Sequence, residues 1–382
     1  MLKKQSERFI HELMESLDIQ IDGDRPWDVQ IHNPLFYKRV ATEGSLGLGE
    51  AYMDGWWDCK ALDQLFYRLL RAGVDKQVTH EGLKRVWQNL KRYLISIQNQ
   101  IQSKTRAFII GRHHYDLGND LFSIMLDAGL NYSCAYWYKA KTLEQAQTKK
   151  LDLICRKIDL KPGMKVLDIG CGWGGFAKYA AENYGAAVTG ITVSQEQANY
   201  ARMACKGLDV NVELLDYRQL HGSYDRVISV GMLEHVGWRN YACFMEKIHQ
   251  VMDKNGLCLL HTIGSNNSLT ASDPWIGTYI FPNSMIPSAA QICRAAEKRF
   301  IIEDWHSFGL YYEKTLLEWY KNFTANYHQI QDRYDERFFR MWTYYLLVSA
   351  ASFRARKNQL WQVVLSKRGL DRVFRSEGEL FP

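Results

Sequence analysis

The 382-residue chain contains no run of about 18 apolar residues, the length a helix needs to cross a bilayer, so it is not expected to span a membrane. Its eight cysteines, Cys59, Cys134, Cys155, Cys171, Cys205, Cys243, Cys258 and Cys293, include no C-x-x-C pair, which argues against a zinc centre and leaves no metal site to expect. Scattered in this way they read as reduced thiols, and a cytoplasmic location follows. Repeats and low-complexity tracts are lacking too. With 47% hydrophobic and 24% charged residues, the composition is that of a globular protein with a sizeable core. A secretory leader is not expected either, because Met1–Leu17 carries Lys3, Lys4, Glu7, Arg8, Glu12 and Glu15 among its apolar positions, the pattern of an amphipathic helix.

One further absence is local. No acid falls between Leu83 and Arg112, where seven basic residues stand: Lys84, Arg85, Lys91, Arg92, Lys104, Arg106 and Arg112. Val86, Trp87, Leu90, Leu94 and Ile97 recur there at near-helical spacing, so a helix over this stretch is apolar on one side and cationic on another. Two readings stay open: a connecting helix packed on its own domain, or contact with an anionic surface, either phospholipid or nucleic acid. The chain has no evident base-flipping or RNA-binding signature, so nucleic acid is not an expected partner.

Two domains suit this length. Residues 1–105 read as a small domain, helical at both ends with a turn-rich middle from Gly44 to Trp57. Residues 106–382 read as an α/β domain in which strands alternate with helices, the mark of a doubly wound, Rossmann-like parallel sheet. Strands are predicted at Lys165–Ile169, Ala187–Thr192, Val210–Leu215, Asp225–Val230 and Leu257–Ile263, with later ones at Arg299–Trp305 and Leu360–Leu365. Helices are predicted at Gly175–Asn183, Gln195–Cys205 and Tyr241–Met252.

In Val166–Gly175 an apolar strand runs through Asp168 into a turn holding Gly170, Gly172, Gly174 and Gly175. Glycines permit positive φ and close approach of backbone to ligand, and the helix that follows points free N–H groups at the same place. A dinucleotide loop is the rival reading, but the next strand ends in Thr192-Val193-Ser194-Gln195-Glu196-Gln197 where a dehydrogenase usually places an acid for the ribose. The stretch therefore reads as a binding loop for S-adenosylmethionine.

Ligands of open α/β sheets bind at the carboxyl ends of the strands. Those ends offer Asp168, then Thr192 with Ser194 and Gln197, then Asp216 with Tyr217, Glu234 with His235, and His261. Asp216-Tyr217 fits an adenine site, and equally a helix cap. Burying Glu234 and His261 at neighbouring strand ends without a task would leave unpaired hydrogen bonds, so proton handling or anion binding is expected there. Aromatics crowd around Cys134 and after Phe308, enough to wall a cavity for a greasy substrate and a transient cation.

Seven stretches taken together resemble the cyclopropane-fatty-acyl-phospholipid synthases: Leu46–Trp57, His114–Asp120, Tyr132–Trp137, Val166–Gly175, Gly231–Gly237, His261–Gly264 and Tyr279–Pro287. The resemblance implies a class I methyltransferase fold and methylene addition from S-adenosylmethionine across a cis double bond of a phospholipid acyl chain. It implies that bound bicarbonate serves as base, held by Cys134, Glu234, His261, the backbone at Ile263, and Tyr312. It carries the cofactor contacts onto Tyr132 and Ser133, the loop from Leu167 to Gly175, Thr192 to Gln197, and Asp216 with Tyr217. The implied setting is the anionic inner face of the cytoplasmic membrane, to which the N-terminal domain attaches peripherally, and the implied assembly is a homodimer. Ser349 and Ser352 stand where some relatives carry a cysteine, which argues against a required thiol there. Leu233 replaces an aromatic and Ser284 a glycine, and either change is expected to reshape the acyl channel.

Overall fold

The computed structural model describes residues 2–73 and 118–374; the cationic stretch from Lys84 to Arg112, the boundary near residue 105 and the start of the His114–Asp120 motif lie outside them. The N-terminal part contains α1 (Leu2–Ser16), β1 (Gln30–Ile31), α2 (Phe36–Glu43), α3 (Ser45–Met53), β2 (Trp57–Asp58) and α4 (Leu62–Arg71). The stretch Gly44–Trp57, expected to be rich in turns, is mostly the helix α3. Glycine there serves packing. A Cβ on Gly49 would come within 2.4 Å of the Trp275 ring, so only glycine lets α3 approach that indole.

The larger part begins with α5 (Asn119–Met125) and α6 (Leu143–Lys157) and then alternates: β3 (Lys165–Ile169), α7 (Gly175–Tyr184), β4 (Ala187–Thr192), α8 (Gln195–Ala204), β5 (Val210–Leu214), β6 (Tyr224–Val230), α9 (Leu233–Val236), α10 (Tyr241–Val251) and β7 (Met252–Ser265). It ends with α11 (Pro274–Tyr279), α12 (Ala289–Ala296), β8 (Ile301–Ser307), α13 (Leu310–Asn326), α14 (Glu336–Arg354) and β9 (Asn358–Ser366). The seven strands lie in the order β5-β4-β3-β6-β7-β9-β8. The pairings β5-β4, β4-β3, β3-β6 and β6-β7 are parallel, and β9 runs antiparallel to both β7 and β8. This is the doubly wound Rossmann-like fold, and its strand order reverses between β3 and β6, the crevice where such sheets bind ligands.

The inner strands are buried on both faces, as parallel strands must be when helices cover them. Leu167, Ile169, Val227 and Leu260 face a cluster with Phe244, Met245 and Ile248 of α10, whereas Val166, Val188, Ile228 and Leu259 face Ile154 of α6 and Phe176 of α7. A third, aromatic cluster joins the N-terminal helices to α13 and α14: Tyr52, Trp57 and Phe66 share it with Trp275, Trp342 and Tyr344. Tyr344 lies 5.6 Å from Tyr52, 5.2 Å from Phe66 and 4.5 Å from Trp275, ring to ring. Around those rings Arg340 donates to Tyr52 O at 2.6 Å and to Asp58 Oδ1 at 2.7 Å, and Tyr279 donates to Glu50 Oε1 at 2.7 Å. Among the described residues no helix is long and apolar enough to cross a membrane.

Candidate active site

The crevice at the strand ends is a cavity enclosing about 1260 Å³ of space, counting the solvent at its mouth, ample for a nucleoside-sized ligand. Tyr132, Ser133, Asp168, Gly170, Gly172, Gly175, Thr192, Gln197, Asp216 and Tyr217 all line it, as do Lys150, Trp173, Met232 and His235. Of the ranges expected there, Leu167, Gly174, Ser194, Gln195 and Glu196 do not; Gly174 and Ser194 each cap a helix instead. Gly174 holds φ at 86° immediately before α7, a left-handed conformation that costs glycine little. Ser194 accepts from the Gln197 amide at 3.3 Å and thereby starts α8. The loop also needs glycine for clearance, since a Cβ on Gly175 would sit 2.6 Å from the Gly129 carbonyl.

Polar groups along the β4–β5 side of the crevice have partners within the protein. Thr192 Oγ1 donates to Gln197 Oε1 at 2.8 Å. Asp216 caps the short 3-10 helix Tyr217–Gln219 and accepts from Arg218 Nη2 at 2.6 Å, so the cap and the cavity wall are one residue's two tasks. On the opposite side the pattern changes. Asp168, at the end of β3, is 2% exposed, and its Oδ2 has no hydrogen-bond partner among the described residues. Burial pushes its carboxyl up to about 7, with the positive charge of Lys150 pulling it back.

The five residues implied as an anion site lie outside the wall of this cavity, around β7 and α13. Glu234 sits on the single turn α9, which leaves β6 beside the glycine loop; its Oε1 accepts from the Ile263 amide at 2.7 Å, and its Oε2 is buried without a hydrogen-bond partner among the described residues. The Ile263 amide, expected to meet the anion directly, is therefore committed to Glu234. Burial raises the Glu234 carboxyl to about 7, against the pull of the Ile263 donor. His261 lies two residues before Ile263 on β7, hence on the same face of the strand. Gln362 Nε2 on β9 lies 3.3 Å from its Nδ1; in the tautomer in which Nδ1 accepts from that amide, Nε2 carries the proton of the neutral ring. That Nε2 is buried and has no partner among the described residues. Burial, aided by the charges of Lys150 and Lys157, holds the imidazole well below its usual range, so it stays neutral.

Tyr312, in the first turn of α13, packs its ring against Phe353 at 4.6 Å and Trp319 at 5.9 Å. Thr315, one turn on and on the same face, accepts from the Ala135 amide at 3.1 Å and from Trp137 Nε1 at 2.9 Å, which brings the Cys134 segment against α13. Cys134 is fully buried, and burial pushes its thiol far up, so it is a neutral S–H. Phe308 completes the link, with its ring 5.9 Å from His261 and 5.3 Å from Tyr136. An aromatic wall joins both places: Tyr132 shares a 2.8 Å hydrogen bond with Tyr345 and packs on Phe122 and Trp319.

Lys150 escaped the reading of the sequence. It lies on the apolar stripe of α6 with Leu143, Ala146, Ile154 and Lys157, and a lysine at such a helical position is the signal that marks it. His235, noted there only as the neighbour of Glu234, lines the cavity, and burial lowers its imidazole to about 4.

Residues 102–363 match the family described as mycolic acid cyclopropane synthetase. The chain is 51% identical over 368 residues to the cyclopropane-fatty-acyl-phospholipid synthase of Escherichia coli strain K12, covering 96% of this chain and 95% of that protein. It is 31% identical to the tuberculostearic acid methyltransferase UfaA1 of Mycobacterium tuberculosis over 89% of this chain and 83% of that one. Among solved structures, the cyclopropane synthase MmaA2 from Mycobacterium tuberculosis matches with a TM-score of 0.64 at 30% identity, covering 68% of this chain and 98% of that chain. The mycolic acid cyclopropane synthase CmaA1, complexed with SAH and CTAB, matches with a TM-score of 0.63 at 32% identity over 68% of this chain and 98% of that one. A glycine-loop crevice, a buried Glu234–Ile263 pair and these likenesses lead to one statement: the chain belongs to the cyclopropane-fatty-acyl-phospholipid synthase family, S-adenosylmethionine-dependent methyltransferases that transfer a methylene group to lipid.

Proposed function

We propose that this chain adds a methylene group from S-adenosylmethionine across the cis double bond of acyl chains esterified in membrane phospholipids, and that bicarbonate is the base. The cavity fits the cofactor through the unpartnered Asp168 Oδ2 and the close-approach glycines. The buried atoms Glu234 Oε2 and His261 Nε2, both unpartnered among the described residues, fit a small oxyanion; this observation carries the reading.

The π pair of the alkene forms the new bond to the sulfonium methyl, the carbon–sulfur pair returns to sulfur, and a cation remains on the acyl chain. Ring closure uses the electron pair of a methyl C–H bond, so one proton must leave beside that cation. When bound, bicarbonate supplies a base too weakly nucleophilic to be alkylated. His261 would hold it through Nε2–H, in the tautomer whose Nδ1 accepts from Gln362. Glu234, oriented by the Ile263 amide and raised to about 7, takes the proton onward through Oε2. By the family resemblance Cys134 and Tyr312 would border the anion, with the Cys134 S–H donated to Ala135 O at 3.3 Å. The rings of Tyr132, Phe281, Trp319 and Tyr345 exclude water and face the cation with their π clouds.

The N-terminal part, residues 1–105 including the cationic stretch, would bring the enzyme to the anionic inner face of the cytoplasmic membrane as a peripheral homodimer. The test is direct. Purified protein, labelled cofactor and vesicles of unsaturated phospholipid should yield methylene-labelled lipid, with the rate falling when carbon dioxide is rigorously removed and returning when bicarbonate is added. No transfer with any lipid composition rejects the substrate; full activity without carbon dioxide rejects the base. A second reading comes from relatives that are lipid C-methyltransferases, such as the 37% identical probable fatty acid methyltransferase of Pseudomonas putida. It predicts a methyl-branched or methylene product, distinguished by mass and by hydrogenation.

A further inference from the structure

Lys150 has no part in the steps above, yet its side chain is 1% exposed and stands in the wall of the cofactor cavity. Nζ donates to Ser133 Oγ at 2.9 Å and to Asn131 Oδ1 at 3.3 Å, and neither acceptor is charged. The carboxylate in this network is one step removed. Asp127 accepts from Asn131 Nδ2 at 2.7 Å, from the Asn131 amide at 2.9 Å and from the Gly129 amide at 3.0 Å, so backbone and side-chain amides satisfy it. An ammonium carries three donors, and Ser133 and Asn131 use two of them. A buried cation is costly unless an anion or further hydrogen bonds complete it. Burial lowers Lys150 to about 8, while Asp127, Cys134 and Asp168 act in the opposite direction.

S-adenosylmethionine brings a carboxylate into this cavity together with an ammonium and a sulfonium. Of the described residues in the wall, Lys150 is the one lysine or arginine, and the acids there, Asp168 and Asp216, repel a carboxylate. We propose that Lys150, together with Ser133, receives the carboxylate of the cofactor's amino-acid moiety. This rests on the reading that the cavity holds S-adenosylmethionine. It also sets a direction along the cavity: the amino-acid end lies at Ser133 beside Cys134, and the nucleoside end lies toward Thr192 and Asp216. Asp168 is left for groups of opposite charge or for hydroxyls. Lys150 thereby discriminates for a carboxylate-bearing cofactor, and through Asn131 it holds the segment that carries Tyr132, Ser133 and Cys134.

Calorimetric titration of the full chain with S-adenosylmethionine and with decarboxylated S-adenosylmethionine tests this, using wild type, Lys150→Gln and Lys150→Met. Wild type should bind the carboxylate-bearing form about ten- to a hundred-fold more tightly, the scale of a charge-assisted hydrogen bond. Both substitutions should remove most of that preference, weakening the full cofactor while leaving the decarboxylated form almost unchanged. Equal affinity of wild type for the two ligands overturns the proposal, and that measurement stands even if neither variant folds. A loss shared equally by both ligands also overturns it, because Lys150 is then only a scaffold for residues 131–134. If wild type binds neither ligand, the cofactor reading itself fails.

Discussion

The two sides of the crevice are built on opposite terms. Along β4 and β5, Thr192 is bonded to Gln197, Ser194 to the Gln197 amide and Asp216 to Arg218, so the wall is complete before any ligand arrives. Asp168 Oδ2 in the cavity wall at the end of β3, and Glu234 Oε2 and His261 Nε2 beyond that wall near the ends of β6 and β7, are buried and unpartnered among the described residues. A buried polar atom without a partner costs about 1–3 kcal/mol, so each of these three is a place where a bound ligand would offset that cost. Stability is thus built into the β4–β5 wall, whereas the chemistry proposed above draws on unpartnered groups at and beyond the other wall. Substitutions on the two sides should therefore differ in sign as well as in size.

Glu234→Gln should break the second side most sharply. It keeps the bond to Ile263 but removes the carboxylate proposed to take the proton, so turnover should fall about 10²- to 10⁴-fold while cofactor affinity stays within about a factor of two. His261→Ala should act alike. Single-turnover kinetics set beside equilibrium binding decides the matter, and loss of cofactor affinity in either variant would merge the two sites that the structure keeps apart. In wild type, with the Glu234 carboxyl at about 7, turnover should rise with pH through neutrality as the carboxylate forms; Glu234→Gln should flatten that limb.

Asp168→Asn should rank next and act on binding. The buried carboxylate faces the cavity, so its loss should weaken cofactor affinity about tenfold or more, with a smaller effect on the rate at saturation. Unchanged affinity would mean that Asp168 serves the loop and not the ligand.

The sequence made one side of this comparison legible and only half of the other. β3 and β4 have the predicted ends, because a continuous apolar run followed by a glycine loop or a Ser cap leaves little freedom. The strand predicted at Leu257–Ile263 extends from Met252 to Ser265. Asp253-Lys254-Asn255-Gly256 reads as a turn, but a register irregularity against β6 carries it within the strand. α3 was hidden because glycines that signal turns are there to let Trp275 come close. Ser194 and Asp216 illustrate a second limit: residue type at a strand end does not tell a ligand contact from a helix cap, since both use the same oxygen. Lys150 illustrates a third, because a charge on an apolar stripe becomes meaningful only once the fold shows what Asn131, Ser133 and Asp168 place around it.

Stability tests sharpen the contrast further. The folded-state carboxyl of Glu234, at about 7, lies above the unfolded value of about 4.3, so the native protein holds this proton more tightly. Its contribution is least unfavourable below the unfolded value and worsens as pH rises to about 7. In the ligand-free protein, Glu234→Gln should therefore raise the melting temperature at pH 8 more than at pH 5, even as it lowers turnover. A lower melting temperature at pH 8 would show that the carboxylate is better satisfied than its unpartnered Oε2 implies.

Ser194→Ala, on the completed side, should give the smallest effect and the opposite sign. Ser194 is 1% exposed and outside the cavity wall, and its hydroxyl accepts from the Gln197 amide at the start of α8. Removing that cap should cost about 1 kcal/mol, a fall of about 2–4 °C in a domain of this size. Cofactor affinity and turnover at permissive temperature should be unchanged, because the cap completes a helix and touches no ligand. Thermal melts and cofactor titrations on the same preparation separate the cases. A loss of cofactor affinity larger than the loss of stability would put Ser194 back among the ligand contacts, and the two edges of the crevice would then differ in degree and not in kind.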